Sequence, residues 1–219
     1  MRLVIFDVDG TLVDSQADIV ASMTAAFGDV GLAVPPRATL LSIVGLSLDV
    51  AMAQLAPGAD TPRMVRCYKD TYAQLRATKG ASSSPLYPGA RAALDHFAGC
   101  EDVVLGVATG KSKRGLDGLI EAHGLEGMFA TLQVADFHPS KPHPSMIHAA
   151  LNETGIDRAD AVMVGDTRFD MEMATNADIA GIGVTWGYHP RRELGAAQQV
   201  IDGFDDLPVA IDAILGASA

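Results

Sequence analysis

The amino-acid sequence predicts an α/β fold: a parallel sheet covered by helices on both faces, with an all-helical unit inserted after the first strand. Three observations predict it. From Leu86 onward, short apolar runs ending at acids, glycines or a small hydroxyl alternate with helical patterns. Residues 15–84 instead carry apolar side chains at helical spacing with no strand-like run between them. The 219 residues, 48% hydrophobic and 20% charged, are enough to bury a core of that kind.

Leu3-Val4-Ile5-Phe6 is a short apolar run closed by an acid, which reads as a buried and central strand. In the inserted unit the helical spacing runs through Ile19, Met23, Ala26 and Phe27, then Val50, Ala53, Gln54 and Leu55, then Val65, Tyr68, Tyr72 and Leu75. Gly31, Pro35-Pro36, Pro57-Gly58 and Gly80 punctuate it, and Ser82-Ser83-Ser84-Pro85 reads as the return linker. Two crossings to one neighbour make a natural hinge. A long helical crossover packed into one domain is the alternative. Val103 to Ala108 is the second strand, Leu132 to Val134 a third, Ala161 to Val164 a fourth, and the glycine-interrupted Ile179 to Trp186 a fifth. Helices are expected at 113–123, 144–154 and 170–176. The resulting division is a core of residues 1–14 and 85–219 and a helical unit of 15–84.

The formal net charge is −11, from 16 basic and 27 acidic residues. That balance disfavours nucleic acid and anionic membrane as partners. Cys67 and Cys100 are too few for a disulfide framework and have no metal-ligand spacing. The first apolar run stops after four residues, which fits neither a leader nor a membrane span. A cytoplasmic protein, monomeric or homodimeric, is the expectation.

The chemistry concentrates at strand ends. Asp7-Val8-Asp9-Gly10-Thr11-Leu12 follows the first strand, where two carboxylates can enter the crevice at the sheet's carboxyl edge. Gly165-Asp166-Thr167-Arg168-Phe169-Asp170 follows the fourth. Carboxylates converging on one edge repel each other unless a cation is present, and an all-oxygen donor set favours a hard ion such as Mg²⁺. Asp170 reads equally well as a first-turn helix acid. Thr109-Gly110-Lys111-Ser112 offers a hydroxyl and a free N–H at a helix start, a cradle for phosphate. Lys141, in Lys141-Pro142-His143-Pro144, supplies a cation whose weight comes from the set it belongs to.

In this order, the four motifs resemble the haloacid dehalogenase superfamily, over almost the whole chain. The resemblance implies a Rossmann-like core with an α-helical cap inserted after the first motif. It implies Asp7 as nucleophile, forming an aspartyl-phosphate, and Asp9 as general acid and then base. Thr109 and the Gly110 N–H would hold phosphoryl oxygens, and Lys141 would offset charge around Asp7. Mg²⁺ would take Asp7, the Asp9 carbonyl and Asp166, with Asp170 binding it directly, through water, or orienting Lys141. Asp9 argues against the dehalogenase and phosphonatase branches, which lack that second acid. The β-phosphoglucomutase branch carries an arginine where Gly45-Leu46-Ser47-Leu48 has Leu48. Val13-Asp14-Ser15, Asp18-Ile19 and Thr185-Trp186-Gly187-Tyr188 look like the phosphoglycolate phosphatase group. The expectation is a phosphatase for a small phosphate ester such as 2-phosphoglycolate or a sugar phosphate. A phosphomutase and a non-catalytic phosphate-binding module are the alternatives. Ser47 and Leu46 are candidates to reach the site from the cap, with a plain helix start the other reading of Ser47. Arg168 reads as touching substrate or facing solvent. His189, Trp186 and Tyr188 read as rim or packing residues, and His143 as a helix cap.

Overall fold

A computed structural model describes residues 1–216. The elements, in chain order, are β1 (Arg2–Phe6), α1 (Gln16–Asp29), α2 (Arg37–Leu41), α3 (Leu48–Leu55), α4 (Thr61–Lys79), α5 (Ala90–Ala98), β2 (Val103–Thr109), α6 (Lys113–His123), β3 (Thr131–Val134), α7 (Ser145–Thr154), β4 (Ala161–Gly165), α8 (Arg168–Asn176), β5 (Ala180–Val184), β6 (Gln199–Ile201) and α9 (Leu207–Leu215). Among the described residues the strands form one sheet in the order β3-β2-β1-β4-β5-β6, and every pairing is parallel. Strand order runs outward in both directions from β1. The crevice between the carboxyl ends of β1 and β4 is thus the point where ligands bind in such sheets.

β1 is central because Leu3 to Phe6 are all buried. Leu3 and Ile5 join a cluster with Met146, Ile147, Met163 and Met173 on one face. Val4 and Phe6 join Leu94, Leu116, Val162, Val164 and Leu207 on the other. That alternation is the strand period of two, and it explains why the run carries no polar residue.

The helices have local reasons to start and stop where they do. Ser112 Oγ accepts the Gly115 N–H at 3.2 Å to open α6, and Gly124, at φ 59°, closes it in the left-handed region. Thr167 opens α8 through a capping box with Asp170.

Helices α1 to α4 bury their own cluster, including Ile19, Met23, Phe27, Leu40, Met52 and Met64, with Phe169 of α8 inserted into it. The chain enters and leaves this helical unit side by side. Val13 pairs antiparallel with Leu86, the Asp14 N–H donates to the Pro85 carbonyl at 2.8 Å, and the Tyr87 N–H donates to Leu12 at 2.9 Å.

Two sequence expectations need correcting. A sixth strand, β6, escapes a reading based on apolar runs, because it has three residues and begins with glutamine at the sheet's edge. On α3 the buried face is Ala51 and Met52, whereas Val50, Ala53 and Gln54 are exposed. The helix is short and apolar all round its middle, so spacing alone does not set its phase. No helix among the described residues is long and apolar enough to cross a membrane.

Candidate active site

The sheet's carboxyl edge brings Asp7, Asp166 and Asp170 together, all buried, with one oxygen of each within 4.8 Å of the others. Asp7 follows β1, Asp166 follows β4, and Asp170 lies in the first turn of α8. The parallel register of β1 and β4, with Phe6 beside Val164, sets the first two side by side.

Lys141 reaches into this group from the loop before α7. Its Nζ donates to Asp7 Oδ1 at 2.7 Å and to Asp170 Oδ1 at 2.6 Å, with no exposure of the lysine side chain. Burial works against the Lys141 charge, but Asp170 and Asp7 outweigh it and hold the ammonium above its ordinary range. Asp170 Oδ2 accepts the Thr167 N–H at 3.0 Å and the Thr167 hydroxyl at 2.6 Å. Asp170 is therefore both a first-turn acid and the group that orients Lys141. The two readings of this residue describe its two oxygens.

Asp166 accepts the Thr11 hydroxyl at 3.2 Å on Oδ1 and the Tyr188 N–H at 2.7 Å on Oδ2. Gly10 sits against it at φ 91°, and a side chain there would run into the carboxylate.

Burial pushes the Asp7 carboxyl up to about 7, with Lys141 opposing and Asp170 adding to the rise. Burial likewise raises Asp166, helped by Asp170 and Asp7. Asp7 Oδ2 has no hydrogen-bond partner among the described residues. An unpartnered buried carboxylate oxygen beside two more buried acids is what a hard divalent cation satisfies. Asp7, Asp166 and Asp170 are the side chains that fit such an ion.

The Asp9 carboxylate lies outside that group. Both its oxygens accept from Lys111 Nζ at 2.8 Å, and Oδ1 accepts from Ser15 Oγ at 2.5 Å. The expected Asp9 contact to a metal is its main-chain carbonyl, and the position of the carboxylate leaves that expectation as it stands. Burial disfavours the Lys111 charge, but Asp9 leads the interactions that keep the ammonium above its usual range. Lys111 also sits over the Tyr72 ring at 4.7 Å and donates to the Tyr72 hydroxyl at 3.2 Å. Thr109, at the end of β2, is buried and lines the same cavity.

That cavity has a volume of about 460 Å³. Asp7, Asp9, Thr109, Gly110 and Lys111 line one side, and Ile19, Met23, Ser47, Leu48, Tyr68 and Tyr72 of the helical unit line the other. Ser47 stands at the start of α3, with its N–H donated to Ser140 Oγ at 2.8 Å. Leu46 lines the cavity beside it.

The residues given two readings fall as follows. His189 is buried, its Nε2 3.1 Å from the Ser42 carbonyl oxygen and its Nδ1 accepting the Arg168 N–H at 3.3 Å, and it ties the helical unit to α8 rather than lining the cavity. Arg168 is exposed, its guanidinium 4.9 Å from the Phe169 ring centre. Trp186 packs 4.7 Å from Phe204 and donates to the Thr11 carbonyl. Tyr188 does more than pack, since its hydroxyl meets the Ser15 N–H at 3.0 Å. His143 Nδ1 accepts the Ser145 N–H at 3.2 Å, which makes it a helix cap.

Lys111, Thr11 and Ser15 carry no signal of a site role in the sequence.

Comparisons with known proteins give the chain relatives over almost its whole length. The chain is 37% identical over 223 residues to the probable phosphatase IndB of Dickeya dadantii, covering 99% of this chain and 96% of that one. It is 34% identical over 219 residues to the phosphoglycolate phosphatase of Agrobacterium fabrum, covering 95% and 91%. A hydrolase structure from Pseudomonas syringae superposes with a TM-score of 0.85 at 24% identity, over 98% of this chain and 99% of that one, which speaks to the fold. The family model for haloacid dehalogenase-like hydrolases matches residues 4–184, a span that runs from β1 through the helical unit to the end of β5, and the chain belongs to that family.

Proposed function

We propose that the protein is a Mg²⁺-dependent phosphatase that hydrolyses a small phosphate monoester through an aspartyl-phosphate on Asp7. The observation that carries this reading is the state of Asp7: a buried carboxylate facing the cavity, with one oxygen on Lys141 and the other unpartnered. Such a group is positioned and still has a lone pair to use.

In the first half-reaction an Asp7 oxygen attacks phosphorus, the phosphorus–oxygen bond to the alcohol breaks, and Asp9 gives its proton to the departing oxygen. In the second, water attacks phosphorus and passes a proton to Asp9. Asp7 leaves as a carboxylate and inorganic phosphate is released. Lys111 and Ser15 hold Asp9 in place for both transfers. Thr109 and the Gly110 N–H face the phosphoryl oxygens, and Lys141 offsets charge on Asp7 while fixing its rotamer. A divalent cation held by Asp7, Asp166, Asp170 and the Asp9 carbonyl would supply Lewis-acid neutralisation of phosphate charge.

Residues 15–84 act in this reading as a cap that closes over a core of 1–14 and 85–219. Leu48 lines the cavity where a mutase would need an arginine for a second phosphate, so hydrolysis is favoured over transfer. The name of the Agrobacterium fabrum relative puts 2-phosphoglycolate among the esters to screen, with sugar phosphates beside it. The test is phosphate release from p-nitrophenyl phosphate and a panel of small esters, with Mg²⁺, with EDTA, and in Asp7→Asn. Loss of turnover in the last two is expected. Full activity in Asp7→Asn refutes the mechanism.

A further inference from the structure

The cavity is larger and more apolar than a two-carbon acid requires. Its volume of about 460 Å³ lies within the range of about 300–1,000 Å³ typical of sites that enclose drug-sized ligands. Most of its lining surface is apolar. Opposite Asp7 and Thr109 the wall is built from Ile19, Met23, Leu48, Val65 and Tyr68. Tyr68 stacks on Tyr72 with ring centres 5.9 Å apart and planes 20° from parallel. The second ring is in turn covered by the Lys111 ammonium.

A substrate carboxylate would need a cation aimed at it. The cations deepest in the cavity are engaged. Lys111 is held on Asp9, and Arg76 Nη1 donates to the Gly115 carbonyl at 3.1 Å at the edge of α6. Lys69 and Arg114 are exposed, where a solvated charge adds little to binding. Hydrocarbon and aromatic walls reward a ligand that is itself flat and apolar.

We propose that the alcohol portion of the substrate carries a flat, mostly apolar ring that packs on Tyr68 and fills the space out to Val65, rather than a short carboxylate. The proposal rests on the phosphatase reading and names its substrate class. The phosphate sits at Asp7 whichever ester is bound, so selection depends on the wall contributed by α1, α3 and α4.

The experiment compares kcat/KM for 1-naphthyl phosphate, phenyl phosphate and 2-phosphoglycolate in the full-length protein with Mg²⁺. The expected order is naphthyl above phenyl above phosphoglycolate, with at least about tenfold between the first and last. Tyr68→Ala is expected to lower the naphthyl-to-phosphoglycolate ratio about tenfold, by removing the stacking surface. Val65→Trp, which fills the space instead of emptying it, is expected to lower the same ratio. A preference for 2-phosphoglycolate, or a ratio that neither variant moves, overturns the proposal while leaving the phosphatase reading intact. No phosphate release from any ester, p-nitrophenyl phosphate included, removes the underlying reading and the proposal with it.

Discussion

Replacing Lys141 by methionine leaves an unbranched side chain one atom shorter and removes the charge from between two buried acids. The ligand oxygens of Asp7 and Asp170 lie within 4.8 Å of one another. Two like charges at that separation repel by about 3 kcal/mol at an effective dielectric constant of about 20. Removing one partner of a buried ion pair also typically costs about 3–5 kcal/mol, a figure that already contains such repulsion. A loss of about 3 kcal/mol is therefore expected for the metal-free protein at pH 8. For a chain of this size that corresponds to a melting temperature lower by about 6–12 °C. The deficit should shrink at pH 5. Asp7 already has its carboxyl pushed up to about 7, and without the lysine it rises further and is neutral at pH 5. Excess Mg²⁺ should restore part of the loss at pH 8 by replacing the missing positive charge. Phosphatase activity should fall by about a hundredfold or more. Thermal melts at both pH values, with and without Mg²⁺, read the stability, and phosphate release reads the rate. An equal deficit at pH 5 and pH 8, together with undiminished activity, would refute the reasoning.

In the unsubstituted, metal-free protein the raised Asp7 carboxyl contributes stability that is complete below about pH 4 and lost as pH climbs through about 7. The metal-free melting temperature should consequently be higher at pH 5.5 than at pH 8, and saturating Mg²⁺ should abolish the difference; a metal-free melt that rises toward pH 8 contradicts this. A Cβ at Gly110 would stand 2.6 Å from the Leu46 carbonyl oxygen and 2.7 Å from that of Gly45. Gly110→Val should push that loop outward, raise KM about tenfold or more and make residues 42–47 more susceptible to limited proteolysis, with unchanged cleavage counting against a closed loop at this position. Asp18 is buried and accepts from Lys79 Nζ at 2.6 Å and from the Ser83 hydroxyl, joining the start of α1 to the end of α4. Asp18→Ala should cost about 1–3 kcal/mol in denaturant unfolding, by stranding the Ser83 hydroxyl, and a neutral result would show that the contact is not formed in solution.

Much of the fold can be read from the chain because each central strand is an apolar run that stops at a polar residue. β1, β2 and β4 all have that form, and their ends share one edge once the pairing is parallel. That is why Asp7, Thr109 and Asp166 can be grouped from the sequence. β6 cannot be read this way, since an edge strand of three residues exists by virtue of its neighbour. The phase of α3 is equally opaque, because Ala51 and Ala53 differ in burial but not in chemistry. Partnerships were less legible than membership. That Lys111 turns to Asp9 follows from β1 and β2 being adjacent, and nothing local to Lys111 distinguishes it from a solvated lysine. Ser140 reaching the Ser47 N–H is a contact between distant segments that no spacing rule anticipates.

The paired crossing at Val13 and Leu86 has a consequence for how such a chain can diversify. The ends of the helical unit are already joined by the Asp14 to Pro85 hydrogen bond. To the sheet, the excursion between them is a closed loop, and the entropic penalty of lengthening such a loop grows by only about 0.6 kcal/mol per doubling. Asp7, Asp9, Lys141, Asp166 and Asp170 all belong to segments outside it. Helices can therefore be lengthened, exchanged or resurfaced between these two positions, provided that Ser15 stays on Asp9 and Tyr72 on Lys111. A new set of helices can be grafted there while Asp7, Lys141, Asp166 and Asp170 keep their places in the sheet-bearing part of the chain.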